Sequence, residues 1–279
     1  MSEIKHAAFR SFERARIQAN DAMVALLVGA RIARETLSLR DAHDGSLLPE
    51  LFPNVAEVER LNRGVRDAQD IIENAELYLA YMAIPFVLAV YQSYLVQVIV
   101  LLQQDGADVS GKDPWNVHLK DLHSHLKMNG GVRLPEGEAD LFQIARRVRN
   151  RLVHSAGVAG SNLLSDYRQL PSDRTDLWEG ITGRPLMADE DGRLILGSDE
   201  MRAVLAITKR LARSINLALA TSLSRPFWSR LVVQDYRVTS PRGWAQADVR
   251  LRRLVGFART YYQPLELAED EIKQALDSQ

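Results

Sequence analysis

"LYLAYMAIPFVLAVYQSYLVQVIVLLQQ", residues 77–104, contains no charged side chain, and its reading decides the fold. A run of this length can cross a bilayer, and hydropathy alone would mark it as a membrane helix. Its polar residues argue otherwise. Pro85, Gln92, Ser93 and Gln97 interrupt it, and Tyr78, Tyr81, Tyr91 and Tyr94 are spread along it instead of gathering at two interfaces. A helix that is apolar all round can equally form the buried centre of a bundle. The remaining chain supplies amphipathic helices that need such a partner. The sequence therefore predicts a soluble, mostly α protein with 77–104 at the centre of a bundle or at a dimer interface, in preference to a membrane span.

The flanking sequence fits that prediction. Residues 3–40 read as one long helix, with Ala8, Phe12, Ala15, Ala19, Ala22, Leu26, Ala30, Ala33 and Leu37 at helical spacing. Asp44-Gly45 and the prolines at 49 and 53 break it. A second helical stretch starts near Val55 and runs into the uncharged segment, where Pro85 marks either a kink or a division into two helices. Gly106 to Pro114 reads as a loop and Trp115 to Lys127 as a short helix, ended by Asn129-Gly130-Gly131. Pro135 and Glu136 open a helix that stops at Gly157. Residues 158–182 look irregular. "PLMADEDGRLIL" reads as two short strands across an Asp-Gly turn, a small β-hairpin insertion between helices. Ser198 is a candidate N-cap for a helix to about Ser222. "FWSRLVVQDYRVTS" is ambiguous between strand and helix, and two further helices are expected over 244–262 and 264–277. The organisation expected is an N-terminal helical extension (1–69), a helical domain (70–224) and a basic, aromatic C-terminal appendage (225–279).

Composition narrows the function classes. With 46% hydrophobic and 25% charged residues, the chain has ample material for a core. A net charge of −1 supplies no global attraction to nucleic acid or acidic lipid, so a polyanion site needs local charge segregation. The absence of cysteine excludes disulfides, thiolate catalysis and cysteine zinc sites. "MSEIKH" has no apolar signal-peptide core, so a cytoplasmic location is expected.

The densest polar chemistry lies in "RRVRNRLVHSAG", residues 146–157. On a helical wheel Leu141, Ile144, Ala145, Val148 and Leu152 share the packed side. Gln143, Arg147, Asn150 and His154 line the opposite side, flanked by Arg146 and Arg151. Arg149 sits nearer the core edge, about 140° from His154 in an ideal helix. A guanidinium, an amide and an imidazole on one face suit phosphodiester chemistry. Arginine binds phosphate bidentately and stabilises charge that builds in the transition state. Histidine transfers protons near neutrality, and asparagine can orient either group. No metal is required for such a reaction, and Glu136, Glu138 and Asp140 form no evident metal cluster. The alternative is a solvated basic face whose histidine interacts with the helix C-terminus.

Arg149-Asn150-Arg151-Leu152-Val153-His154 resembles the signature of the HEPN (higher eukaryotes and prokaryotes nucleotide-binding) superfamily, an arginine followed after four to six residues by histidine, commonly with a polar residue straight after the arginine. Arg149 and Asn150 fit that form, and Arg147 also satisfies the spacing, although Val148 then follows it. The resemblance covers about residues 70–222, with a long apolar helix before the motif and a helix closing the unit after it. It implies a HEPN-type helical bundle with extra N- and C-terminal helices. It also implies a metal-independent endoribonuclease working without a cofactor as a homodimer, with two motifs facing one cleft. Members of this kind serve as toxins or phage-defence effectors beside an antitoxin or other defence-system partner; others are inactive binding or assembly modules. By this resemblance Arg149 holds the phosphate, Asn150 orients the site and His154 is the acid or base. Ideal helix geometry prefers Arg147 to Arg149. One departure from the best-known toxins stands out: Ser155-Ala156-Gly157 follows the histidine, without the tyrosine those proteins carry two residues on.

Two further stretches carry candidate chemistry. In "WNVHLKDLHSHLK", His118, Asp121 and His125 share a helix face and His123 lies beside them, a pattern open to a metal site or to a solvated face opposite Leu119, Leu122 and Leu126. Residues 225–263 hold eight arginines against Asp235 and Asp248, a net of 8 − 2 = +6, with Trp228, Tyr236, Trp244, Tyr261 and Tyr262 interleaved. That composition suits RNA binding, or pairing with the acidic tail Glu266, Glu269, Asp270 and Glu271.

Overall fold

In the computed structural model, residues 3–39, 46–107, 113–246 and 249–278 are described. The expected break at Asp44-Gly45, most of the loop expected over 106–114, and Asp248 lie outside them. The α-helices run, in chain order, α1 (Ala7–Ser38), α2 (Leu48–Leu51), α3 (Val58–Leu61), α4 (Val65–Glu73), α5 (Ala75–Gln104), α6 (Leu119–Gly130), α7 (Glu136–Ser155), α8 (Gly160–Arg168), α9 (Ser172–Thr182), α10 (Ser198–Ser222), α11 (Arg225–Thr239), α12 (Pro241–Trp244), α13 (Arg250–Tyr261) and α14 (Glu269–Asp277). The protein is thus all-α, with no strand among the described residues.

Two compact units emerge, Met1–Arg16 with Leu88–Arg146 and Ala206–Gln279, and Ile17–Val87 with Arg147–Leu205. Helices α1, α5, α7 and α10 each contribute residues to both.

The first unit is built around the second half of α5. Tyr91, Tyr94, Leu95 and Ile99 are buried there. The Tyr91 hydroxyl lies 2.9 Å from His123 Nε2 on α6, and the His123 ring packs 4.3 Å from Phe142 on α7. Tyr94 donates to the Ala212 carbonyl on α10 at 3.4 Å and packs 5.0 Å from Phe12 on α1. These tyrosines end in hydrogen bonds inside the protein, which explains why they are not belted at two interfaces. By length and composition α5 can cross a membrane, and 56% of its most apolar window is buried inside the protein. Pro85 does not divide it.

The C-terminal helices belong to this same unit. Asp235 on α11 is buried and accepts both guanidinium nitrogens of Arg10 at 2.7 and 2.8 Å and the Tyr262 hydroxyl at 2.6 Å. The ambiguous stretch "FWSRLVVQDYRVTS" is helical. Ser224 caps α11 by accepting from the Phe227 amide at 3.3 Å, and Pro226 occupies its first turn.

In the second unit, Leu37, Leu48 and Ala68 form a small core with Phe52, Val58 and Ile72. The stretch 158–182, expected to be irregular, forms α8 and α9. Each helix buries only two residues four apart, Leu163 with Tyr167 and Trp178 with Thr182, too few to imprint a clear period. Where two short strands were expected, residues 187–195 make a tight turn. Asp189 N–H donates to Arg193 O at 2.8 Å and Ile195 N–H to Met187 O at 3.1 Å, with Gly192 at φ 74°, and pairing stops at isolated bridges. Glu200, fully buried at the start of α10, accepts from Arg184 at 2.9 and 3.0 Å and from the Gly197 amide at 2.7 Å. Those charge-assisted bonds raise the Arg184 pKa above its ordinary value.

Candidate functional site

Helix α7 carries acidic residues in its first turn (Glu136, Glu138) and His154 in its last, the arrangement the helix dipole favours. It stops at two successive left-handed residues, Ala156 (φ 47°) and Gly157 (φ 86°), and the Gly157 amide reaches back to the Arg151 carbonyl at 3.0 Å. A Cβ on Gly157 would stand 2.6 Å from Tyr81 Cζ, so only glycine fits both the conformation and the space. The 187–195 turn docks on this end through Leu194 N–H to Gly157 O (2.9 Å) and Ala159 N–H to Gly192 O (2.8 Å). Tyr81, its ionisation suppressed by burial, donates to the Leu194 carbonyl at 3.3 Å. Backbone bonds therefore fix where the chain goes after His154.

Between α7 and α8 lies an open cleft of about 610 Å³ lined by Arg147, Asn150, Arg151, His154, Ser155, Asn162, Leu163, Ser165 and Asp166. Three of the four expected residues, Arg147, Asn150 and His154, come together there. Arg149 is not among the lining residues; its guanidinium donates to Asn150 Oδ1 at 3.1 Å, one step behind the cleft wall. His154 is exposed at the cleft and Val153 beside it is 51% exposed. Leu152, expected on the packed side, is only half-buried.

The other arginines of the motif are disposed differently. Arg147 forms an ion pair with Asp166 on α8. Arg151 lies against Gly160, where a Cβ would come within 2.9 Å of its Nη2, so the glycine lets the guanidinium rest on the backbone. Arg146 donates from Nε to Gln143 Oε1 at 2.8 Å and is not among the residues that line the cleft.

The cleft offers two guanidiniums, an imidazole, amides and hydroxyls, with one carboxylate opposing the positive charge. That set can bind a phosphodiester and move protons at it. Asn162, Ser165 and Asp166 were not foreseen. Their signal is the alternation in "GSNLLSDYR", where 162, 165 and 166 fall on one helix face and Leu163 and Tyr167 on the other.

The histidine-rich stretch is used otherwise. His123 is buried against Tyr91 and Phe142, and burial lowers its pKa to about 4. Among the described residues no three histidines or carboxylates are placed to hold a metal ion. Of the acidic tail, Glu271 pairs bidentately with Arg225 at 2.7 Å.

No family model matches this chain, nor does any curated protein or solved structure.

Proposed function

We propose that the protein is a HEPN-type, metal-independent endoribonuclease whose reaction centre is the α7–α8 cleft. The observation that carries this reading is the convergence of Arg147, Asn150 and His154 on one open cavity at a precisely terminated helix end. In the reaction proposed, His154 takes the proton from a ribose 2′-hydroxyl, whose oxygen attacks the adjacent phosphorus. The bond to the 5′-oxygen breaks, and that oxygen takes a proton from water while the His154 imidazolium returns its own to the hydroxide left behind, giving a 2′,3′-cyclic phosphate and a 5′-hydroxyl end. Arg147 and Arg151 offset the charge that builds on the non-bridging oxygens. Arg149 acts on Asn150 and through it on the substrate.

A homodimer belongs to this reading, and exposed apolar stripes support it. Ile17, Val24, Val28 and Ile32 line one face of α1, and Tyr78, Met82 and Phe86 one face of α5, all between 46% and 68% exposed. A second copy would cover such stripes. A cytoplasmic toxin or phage-defence role, with an antitoxin or other partner, extends the reading. A second reading, an inactive binding or assembly module, is favoured by one observation: the Arg147–Asp166 ion pair occupies the arginine that phosphate needs.

The test is an RNA digest in EDTA with the wild type beside His154→Ala. Cleavage that leaves 2′,3′-cyclic phosphate ends and disappears in the variant supports the nuclease; equal activity in both proteins refutes it. Intact RNA with a folded wild type favours the assembly module. Light scattering tests the dimer.

A further inference from the structure

A separate concentration of positive charge lies in the other unit, where α11, α12 and α13 meet. A cavity of about 450 Å³ there is lined by Tyr236, Thr239, Ser240, Arg242, Gly243 and Arg253, among others. Trp244, next in the chain to the lining residue Gly243, carries two more guanidiniums over its ring, Arg237 at 5.6 Å and Arg250 at 4.8 Å. Arg250 is also tied to the Trp244 carbonyl at 2.6 Å. Four arginines thus gather around one short helix.

Their electrostatic state is informative. The chain as a whole is nearly neutral at −1, but among the described residues the carboxylates of Asp235 and Glu271 are already paired, and Asp248 lies outside those residues. Asp235 is buried and neutralised by Arg10, accepting also from Tyr262 and from the cavity-lining Thr239, and Glu271 of the tail is taken by Arg225. Arg237, Arg242 and Arg253 are exposed, and among the described residues none of them has a carboxylate partner. A protein that gathers unpaired guanidiniums pays in self-repulsion, which an anionic ligand relieves. Stacking on Trp244 holds two of the side chains in place before any ligand arrives, which reduces the rotamer freedom lost on binding.

We infer that this corner binds the sugar–phosphate backbone of single-stranded nucleic acid. Forked guanidiniums beside the Ser240 hydroxyl match the oxygens of successive phosphates. A corner built on a four-residue helix favours a strand that bends over a rigid duplex. Trp244 already carries arginines on its ring, so the backbone and not the bases is read, and RNA and DNA should bind alike. The inference does not depend on the cleft being catalytic.

The experiment is fluorescence anisotropy of labelled oligouridine and oligothymidine over a salt series, in a His154→Ala background that leaves RNA intact. Arg242→Ala with Arg253→Ala removes two phosphate contacts. The plot of log affinity against log salt should become shallower by about 1.4, an affinity loss of about 25-fold at 0.1 M salt relative to 1 M. Arg242→Lys with Arg253→Lys keeps the charge and should restore the slope. Unchanged affinity and slope in the double alanine variant would overturn the inference, as would failure of the His154→Ala parent to bind either oligonucleotide. So would loss of binding to phosphatidylserine vesicles alone, which would assign the corner to a membrane. Because anisotropy reads binding, this outcome is separate from the fate of the nuclease reading.

Discussion

Replacing Arg147 and Arg149 separately by alanine distinguishes the cleft geometry from the spacing of the motif. Arg147 lines the cleft and its side chain is 42% exposed, whereas Arg149 meets the cleft only through Asn150 at 3.1 Å. Loss of a single positioned donor to a transition-state oxyanion costs about 10²–10³ in rate. Arg147 is partly solvated, so the lower end applies, about 100-fold or 2.7 kcal/mol. Removing Arg149 frees Asn150 Oδ1 but leaves the cleft groups in place. One half-exposed hydrogen bond is worth about 1 kcal/mol, or about fivefold. Before Arg147 can hold phosphate it must leave Asp166, and an exposed ion pair contributes about 0–1 kcal/mol. Asp166→Asn should therefore raise the rate by no more than about fivefold. The assay is single-turnover cleavage of end-labelled RNA in EDTA, with circular dichroism confirming that each variant is folded. A larger loss in Arg149→Ala than in Arg147→Ala, or equal losses, would refute the placement of the cleft. A fall in activity in Asp166→Asn would show that the carboxylate positions Arg147 instead of restraining it.

Other consequences concern stability. Gly157→Ala forces a side chain into a left-handed residue against Tyr81 and should cost about 3 kcal/mol by urea denaturation. Gly180→Ala, in open space inside α9, should instead stabilise by about 0.5–1 kcal/mol, and equal effects would show that the Tyr81 contact does not matter. Asp235→Asn leaves Arg10 part-buried without its counter-charge and should cost about 3–5 kcal/mol; a loss below 1 kcal/mol would mean the network is dispensable. His6 and His123 are neutral in the fold because burial lowers both pKa values from 6.5 to about 4, and neither His6 ring nitrogen has a hydrogen-bond partner among the described residues. The unfolded chain takes up these protons below pH 6.5 while the folded chain does not. Stability is thus complete above that pH and falls by about 3 kcal/mol per histidine down to pH 4. His6→Phe should gain on the wild type over that window in urea midpoints, and a constant difference would contradict the buried neutral state.

The long helices were legible because their apolar positions recur over many turns, as in α1, α7 and α10. Of the polar residues of 77–104, Tyr91 and Tyr94 find partners in the interior, whereas Tyr78 is exposed. Helices α8 and α9 were not legible. Two buried residues apiece leave a polar stretch whose helicity depends on packing, not on pattern. The strands expected over 186–196 failed for the opposite reason: the Asp-Gly turn forms, but its arms bond to residues 157–159 and leave little ladder for one another. At the site, the wheel placed Arg147, Asn150 and His154 on one side of α7 because the helix stays regular to Ser155. The opposite wall was missed along with α8 itself, and with it Asp166.

The pinning of residues 157–159 to 192–194 has a consequence for how such a protein can vary. Those bonds are made by the backbone, so they constrain no side chain beyond Gly157 and its neighbours. The intervening segment with α8 and α9 is a cassette clamped at its two ends. Its residues 162, 165 and 166 form one wall of the cleft, and they can be exchanged while the histidine stays where the clamp leaves it. Under the proposed function, substrate preference and the reactive group would be written in different parts of the chain, free to change at different rates.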